Sequence, residues 1–323
     1  MTAAYAAAAV VVAALTLYAI FGGADFGGGV WDLFATGPRR RAQRDTITHA
    51  IGPVWESNHV WLIFAWVALF TCFPPAYADV GTYLNAPLTL ALLGIVLRGA
   101  AFVFRNYASD DPTMARTWSF VFGASSIIAP FFLGDAIGAI ATGRYAWTSP
   151  FALSVGLFNV ALCAQVAAVF LIAETDDPSL REDFRRRAIR ATIAVWIAGL
   201  IPAALARYAE PAFFSALTGS IARLAIAIAV VLGIGVMLLV VRNREMLARV
   251  AVGAEVVAVL AGWFGAQAPQ FVPAHWAIEI AAAPSTTLSA FLIAVACGAV
   301  VLIPSLLYLF AIFKIRSRPH NSV

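Results

Sequence analysis

Nine apolar runs, separated by short polar connections, dominate the chain: residues 3–24, 48–72, 82–104, 118–142, 150–173, 190–207, 220–241, 250–268 and 286–313. A helix that crosses the hydrocarbon core of a bilayer needs about 20 apolar residues. Each run is near that length. Backbone groups in lipid must be satisfied within helices or closed barrels, so the pattern predicts an all-α, polytopic membrane protein with nine transmembrane helices. The Gly-rich stretch GGADFGGG, Gly22 to Gly29, and its continuation to Phe34 lengthen the first helix beyond one bilayer. Its glycines suit either a close packing face or an irregular turn.

Charge gives these helices a direction. After the first, third, fifth, seventh and ninth runs come Arg39, Arg40, Arg41 and Arg44; Arg105 and Arg116; Arg181, Arg185, Arg186, Arg187 and Arg190; Arg242, Arg244 and Arg249; and Lys314, Arg316 and Arg318. These are 17 of the 21 basic residues, while the opposite connections hold only Arg144, Arg207 and Arg223, and Arg98 lies within a run. The positive-inside rule then places the N-terminus outside and the C-terminus in the cytoplasm. The outer connections, such as FPPAYADVGTY and QFVPAHWAIEIAAAP, are aromatic and Pro-rich, as interfacial anchors are. The first run lacks the basic flank of a secretory signal and reads as a retained helix.

Composition agrees and excludes other classes. The chain is 62% hydrophobic and 12% charged, against about 25% charged in soluble domains. A net charge of +4 is topological, and no nucleic-acid partner is expected. Cys72, Cys163 and Cys297 form no CxxC pair and read as packing residues. No phosphate loop, nucleophile elbow or HExxH pair is present.

Ionisable residues within apolar runs are costly and mark candidate sites. IGPVWESNHVWLI brings Glu56, Asn58 and His59 into the second run, and His49, Glu56 and His59 fall on one face of a continuous helix. Arg98 lies at similar depth, so an ion pair with Glu56 is expected, and Asp25 falls in the same inner half. This cluster reads either as a lock between helices or as a proton relay from the cytoplasm. Asp135 is expected to bond to a neighbouring helix, and Glu255, near the start of its run, to lie at the interface. With only His49 and His59 in helices, the chain is not expected to ligate haem or another metal.

The segments GPVWESNHVWLIFAWVALFTCFPPAYA and LRGAAFVFR, with GGADFGGGVWDLF before them, resemble the signature region of cytochrome bd ubiquinol oxidase subunit II. The motifs cover roughly residues 18–107, and the rest matches in length, hydropathy and helix count. The resemblance implies two four-helix bundles, residues 1–142 and 150–268, with a peripheral ninth helix at 286–313. It implies a heterodimer with a haem-bearing subunit I in the bacterial cytoplasmic membrane, with room for a small accessory subunit. The partner would carry haem b and haem d, or b alone, and reduce dioxygen to water with quinol from the quinone pool. The chain itself would hold no cofactor; it would stabilise the partner and supply part of a proton path and of an oxygen- or quinone-accessible cavity. By position, Asp25 and Glu56 match the family's acidic residues, and Trp55, Asn58, Trp61, Arg98 and Arg105 match further motif positions. His59 stands where an acidic residue is common, Val103 where Glu is frequent and Ser57 where Gly is frequent. These departures imply a divergent branch, of cyanide-insensitive-oxidase type, in which the imidazole of His59 relays protons. A stand-alone secondary transporter using Asp25, Glu56 and Arg98 is the alternative from another class.

Overall fold

Helices and one short hairpin follow one another along the computed structural model, which describes residues 2–52, 55–107 and 111–316. In chain order they are α1 (Ala3–Leu33), α2 (Arg40–Ile51), α3 (Trp55–Cys72), α4 (Pro74–Tyr83), α5 (Asn85–Tyr107), α6 (Pro112–Ala141), α7 (Pro150–Ile172) and α8 (Pro178–Ala209). There follow α9 (Pro211–Leu217), α10 (Ser220–Val241), α11 (Glu245–Gln267), the strands β1 (Gln270–Val272) and β2 (Trp276–Ala277), α12 (Ile278–Ala281) and α13 (Ser285–Arg316). Among the described residues, 8 helices are long and apolar enough to cross a membrane: α1, α5, α6, α7, α8, α10, α11 and α13. The remaining apolar run appears as α3, whose 18 residues reach about 27 Å. Glu56, Asn58 and His59 crowd its first turns.

Several helices outrun their apolar stretches because capping signals start them early. Asp111 and Asp177 accept hydrogen bonds from Thr113 N and Ser179 N, each just ahead of a Pro at the first helical position. Thus α6 begins at Pro112 and α8 at Pro178, and the charged turns of α8 stand beyond its apolar part. The second run is a larger correction. Residues 40–51 form a separate element, α2, which buries Gln43, Ile47 and Ile51 along one face and leaves Arg40, Arg41 and His49 on the other. With RRAQRDTITHAI as its sequence, α2 is too charged to cross a bilayer and lies against α1. His49 is bonded through Nδ1 to the carbonyl of Asp45 and does not share a helix with Glu56 and His59.

α1 is the central helix, packing against α3, α6 and α7. Its glycines are a packing face within regular helix. A Cβ on Gly27 would run into the carbonyl of Cys163 on α7, and one on Gly29 into the hydroxyl of Ser126 on α6. α5 packs on α6, α7 on α8, α10 on α11, and α13 rests lightly against α1 and α3. At the end opposite the Arg-rich connections, α4, the hairpin and α12 form a cap. Asp79 of α4 accepts from Trp276 Nε1 at 2.7 Å and Tyr145 OH at 3.3 Å, and His275 Nε2 meets the carbonyl of Gly143 at 2.8 Å. The expected outer loops are therefore structured.

Candidate functional site

Two buried tiers, each with an aspartate of α1 and an arginine of α5, lie one beside α3 and the other beside α2, with α6 against both. In the deeper tier, Asp25 on α1 is 3% exposed and Arg98 on α5 only 1%. Asn58 of α3 donates its Nδ2 to Asp25 Oδ2 at 2.8 Å, and Arg98 Nη2 donates to the Asp25 carbonyl at 3.1 Å. The Arg98 guanidinium lies over the rings of Phe26 and Phe122, at 5.3 and 5.2 Å, so its charge is held by π faces as well as by oxygen.

The second tier lies nearer the Arg-rich end. Asp32 is fully buried; Arg105 Nη1 reaches its Oδ1 at 3.1 Å and Arg44 Nε its Oδ2 at 3.5 Å. Arg105 also donates to Thr48 Oγ1 at 2.6 Å and lies 4.3 Å from the Phe122 centroid. Asp25 and Asp32 are seven apart on α1, and Arg98 and Arg105 are seven apart on α5. Both helices run the same way, so the pairs repeat after two turns, about 10.5 Å. Phe122 touches both guanidinium groups and forms the step between them.

Above the deeper tier His59 Nδ1 meets Tyr18 OH at 3.2 Å. The rings of Phe26 and Trp55 close on the imidazole at 5.8 and 6.3 Å, and its buried Nε2 has no partner among the described residues. Trp61 packs beside Tyr18, Phe26 and Cys163. From here an apolar cavity of about 580 Å³ extends towards the cap, lined by residues of α1, α3, α6, α7, α11 and the hairpin, with Tyr18, Phe26 and Cys163 among them.

The structure thus brings together Asp25, Asn58, His59, Trp55 and Arg98, with Arg105 one tier away. It corrects the expected pair between Glu56 and Arg98. Glu56 is exposed on the outer side of α3 and joins no ion pair among the described residues, while Arg98 turns inward to Asp25. Asp32 was missed, although its sevenfold spacing from Asp25, matched by Arg98 and Arg105, was the available signal. Asp135 is fully buried with neither oxygen bonded among the described residues, against the expected interhelical bond. Glu255 is not interfacial. Its helix begins at Glu245, which sets the carboxyl about 15 Å along it, 3% exposed and bonded to Gln165.

Comparison with known proteins gives a consistent set of similarities. The family model described as cytochrome bd terminal oxidase subunit II matches residues 3–313. The chain is 29% identical over 203 residues to cytochrome bd ubiquinol oxidase subunit 2 of Bacillus subtilis (strain 168), an alignment covering 59% of each protein. It is 26% identical over 174 residues to cytochrome bd-I ubiquinol oxidase subunit 2 of Escherichia coli (strain K12), covering 49% of this chain and 45% of that one. Its fold is similar to a chain in the structure of bd oxidase from Geobacillus thermodenitrificans, with a TM-score of 0.83 and 22% identity over 97% of this chain and 99% of that one. The chain therefore spans 59% of the length of its Bacillus subtilis relative in alignable sequence.

Proposed function

The chain belongs to the cytochrome bd terminal oxidase subunit II family, and from that premise we propose that it is the haem-free second subunit of a quinol:oxygen oxidoreductase. In this reading it pairs with a haem-bearing subunit I in a bacterial cytoplasmic membrane, as two four-helix bundles with α13 peripheral. Its N-terminus is outside and its Arg-rich end is cytoplasmic. Within that complex it stabilises the partner and carries protons inward from the cytoplasm.

The observation that carries the proton role is the two-tier ladder. Arg side chains stay protonated in proteins, so Arg44, Arg105 and Arg98 act as fixed charges, and Asp32 and Asp25 are the groups that take and give protons. Arg98 bonds to the Asp25 backbone carbonyl, which holds its charge beside the carboxyl while Asn58 orients Oδ2. His59, whose Nε2 has no partner among the described residues, is the next acceptor along the line. Glu56 and His49, both exposed, belong to the mouth of the path. The apolar cavity gives dioxygen or a quinone chain a route through the same subunit.

Haem is the chemistry of the partner, where it would pass quinol electrons to dioxygen. The residues here do not fit it: His59 is walled by Tyr18, Phe26 and Trp55, and His49 is exposed and tied to Asp45. The stand-alone transporter finds no observation in its favour beside this family.

The test uses the purified complex. Asp25→Asn keeps the size and the Asn58 contact but cannot ionise. Quinol-dependent oxygen consumption should fall about 10²-fold, the scale of a lost proton-transfer group, with haem content unchanged. Turnover equal to wild type would reduce the tier to a structural lock.

A further inference from the structure

A second polar centre lies away from the ladder, among α7, α8, α10 and α11. Glu255 of α11 accepts from Gln165 Nε2 of α7 at 2.9 Å, and the same amide nitrogen reaches Thr192 Oγ1 of α8 at 3.3 Å. Thr192 in turn donates to the Ala188 carbonyl at 2.9 Å. On α10 the position facing this group is Gly233. A Cβ there would lie 2.7 Å from Glu255 Oε1 and 2.9 Å from Trp196 Nε1, so the second carboxyl oxygen and the indole N–H converge where α10 has no side chain. Each of the four helices thus contributes to one enclosed site.

Its hydrogen bonding is incomplete in an informative way. Among the described residues, the fully buried Gln165 leaves Oε1 without a partner, and the buried Trp196 Nε1 has none either. No ion pair among the described residues includes Glu255. Among the described residues, the groups that meet it from α7, α8 and α10 are Gln165, Thr192, Trp196 and Gly233, none of them titratable near neutrality. Arg249, six residues away on α11, is engaged by Glu174 and the Phe170 carbonyl. A carboxylate accepts only, and Gln165 Nε2 and Trp196 Nε1 are the donors that suit it. A carboxylic acid also donates, and the orphaned Gln165 Oε1 suits that state once the amide turns over, since amide oxygen and nitrogen are interchangeable by rotation. The partners on hand therefore match both protonation states.

We propose that Glu255, Gln165 and Trp196 form a proton-binding site, distinct from the Asp25–Arg98 ladder, in which the Gln165 amide reverses its hydrogen bond as Glu255 exchanges a proton with water. One O–H bond forms or breaks on the carboxyl, and no electrons move. The site shares no residue with the proposed proton path and stands whether or not that path is used.

Infrared difference spectra of the detergent-purified complex, acid minus alkaline, in H2O and D2O, provide the test. A carboxylic C=O band that shifts in D2O should be present in wild type, lost in Glu255→Gln and retained in Asp135→Asn. Gln165→Leu and Trp196→Phe, which leave the carboxyl in place, should each shift that band. They also serve if Glu255→Gln fails to assemble. Superimposable wild-type and Glu255→Gln spectra, or a band indifferent to both partner substitutions, would overturn the proposal. A band that responds to added Na+ at fixed pH would overturn it in favour of a metal-cation site.

Discussion

A buried charge is tolerated at Asp32 because it has two cations and Arg105 has more than one partner. Removing one member of such a set leaves the other uncompensated, which costs about 3–5 kcal/mol in buried pairs. Asp32→Ala is expected to destabilise the chain by about that range, whereas Asp32→Ala combined with Arg105→Leu should cost less than the sum of the single changes. Thermal unfolding in detergent checks this, and additive effects would show that the two side chains do not interact. Asp25, Asn58 and Arg98 were legible as polar letters in apolar runs. Their pairing was not, because a single sequence shows which residues are polar but not how a helix is rotated. Counting along the runs puts Glu56 and Arg98 at similar depth, yet α3 turns Asn58 towards Asp25 and leaves Glu56 exposed. Glu255 escaped for a related reason: the apolar run began at 250, and the helix begins at Glu245.

At the scale of elements, the apolar runs located the helices, and cap residues with the following Pro marked starts that hydropathy alone places late. The split of residues 40–72 into α2 and α3 needed attention to charge as well as length. The glycines of α1 separate packing from mere composition. Gly27 lies against the α7 backbone, while a Cβ on Gly253 of α11 would meet nothing within 4 Å among the described residues. Gly27→Ala must push α1 and α7 apart, and overpacking of this kind costs about 1–3 kcal/mol. Gly253→Ala should instead gain up to about 1 kcal/mol from helix propensity. Equal melting temperatures for the two variants would contradict the close approach. The cap carries a pH-dependent contact. Burial first, and then the Asp79 carboxylate, push the Tyr145 phenol above its ordinary value. The folded state holds that proton more tightly than the unfolded chain, so the contribution is whole below the ordinary phenol value of about 10. It is lost as pH rises beyond it. Hydrogen exchange across residues 270–277, corrected for intrinsic rates, should show protection falling at alkaline pH in wild type. Tyr145→Phe should show lower protection at neutral pH and no such alkaline fall.

Over the whole molecule, the exposed surface is not uniform. On α3, Val60, Ile63, Val67 and Phe70 are exposed, and on α5 Leu92, Leu93, Val96 and Val103 join them. Glu56, in the first turn of α3, lies at the Arg-rich end of this face. On α10 the exposed residues Val230, Val231, Ile234 and Leu238 are purely apolar, as a lipid-facing surface is. A carboxylate facing hydrocarbon is costly, so the two faces call for different neighbours: the α10 face suits acyl chains, and the α3–α5 face suits a protein that supplies a donor to Glu56. If the chain works as a second subunit, a photoreactive amino acid at Val60 or Val96 should crosslink to the haem-bearing partner in native membranes, and the same probe at Val231 should not. Glu56→Leu should weaken co-purification of the partner while leaving the chain itself inserted. Crosslinking from Val231 but not from Val60 would move the interface to the opposite side and leave Glu56 to face lipid headgroups at the cytoplasmic rim.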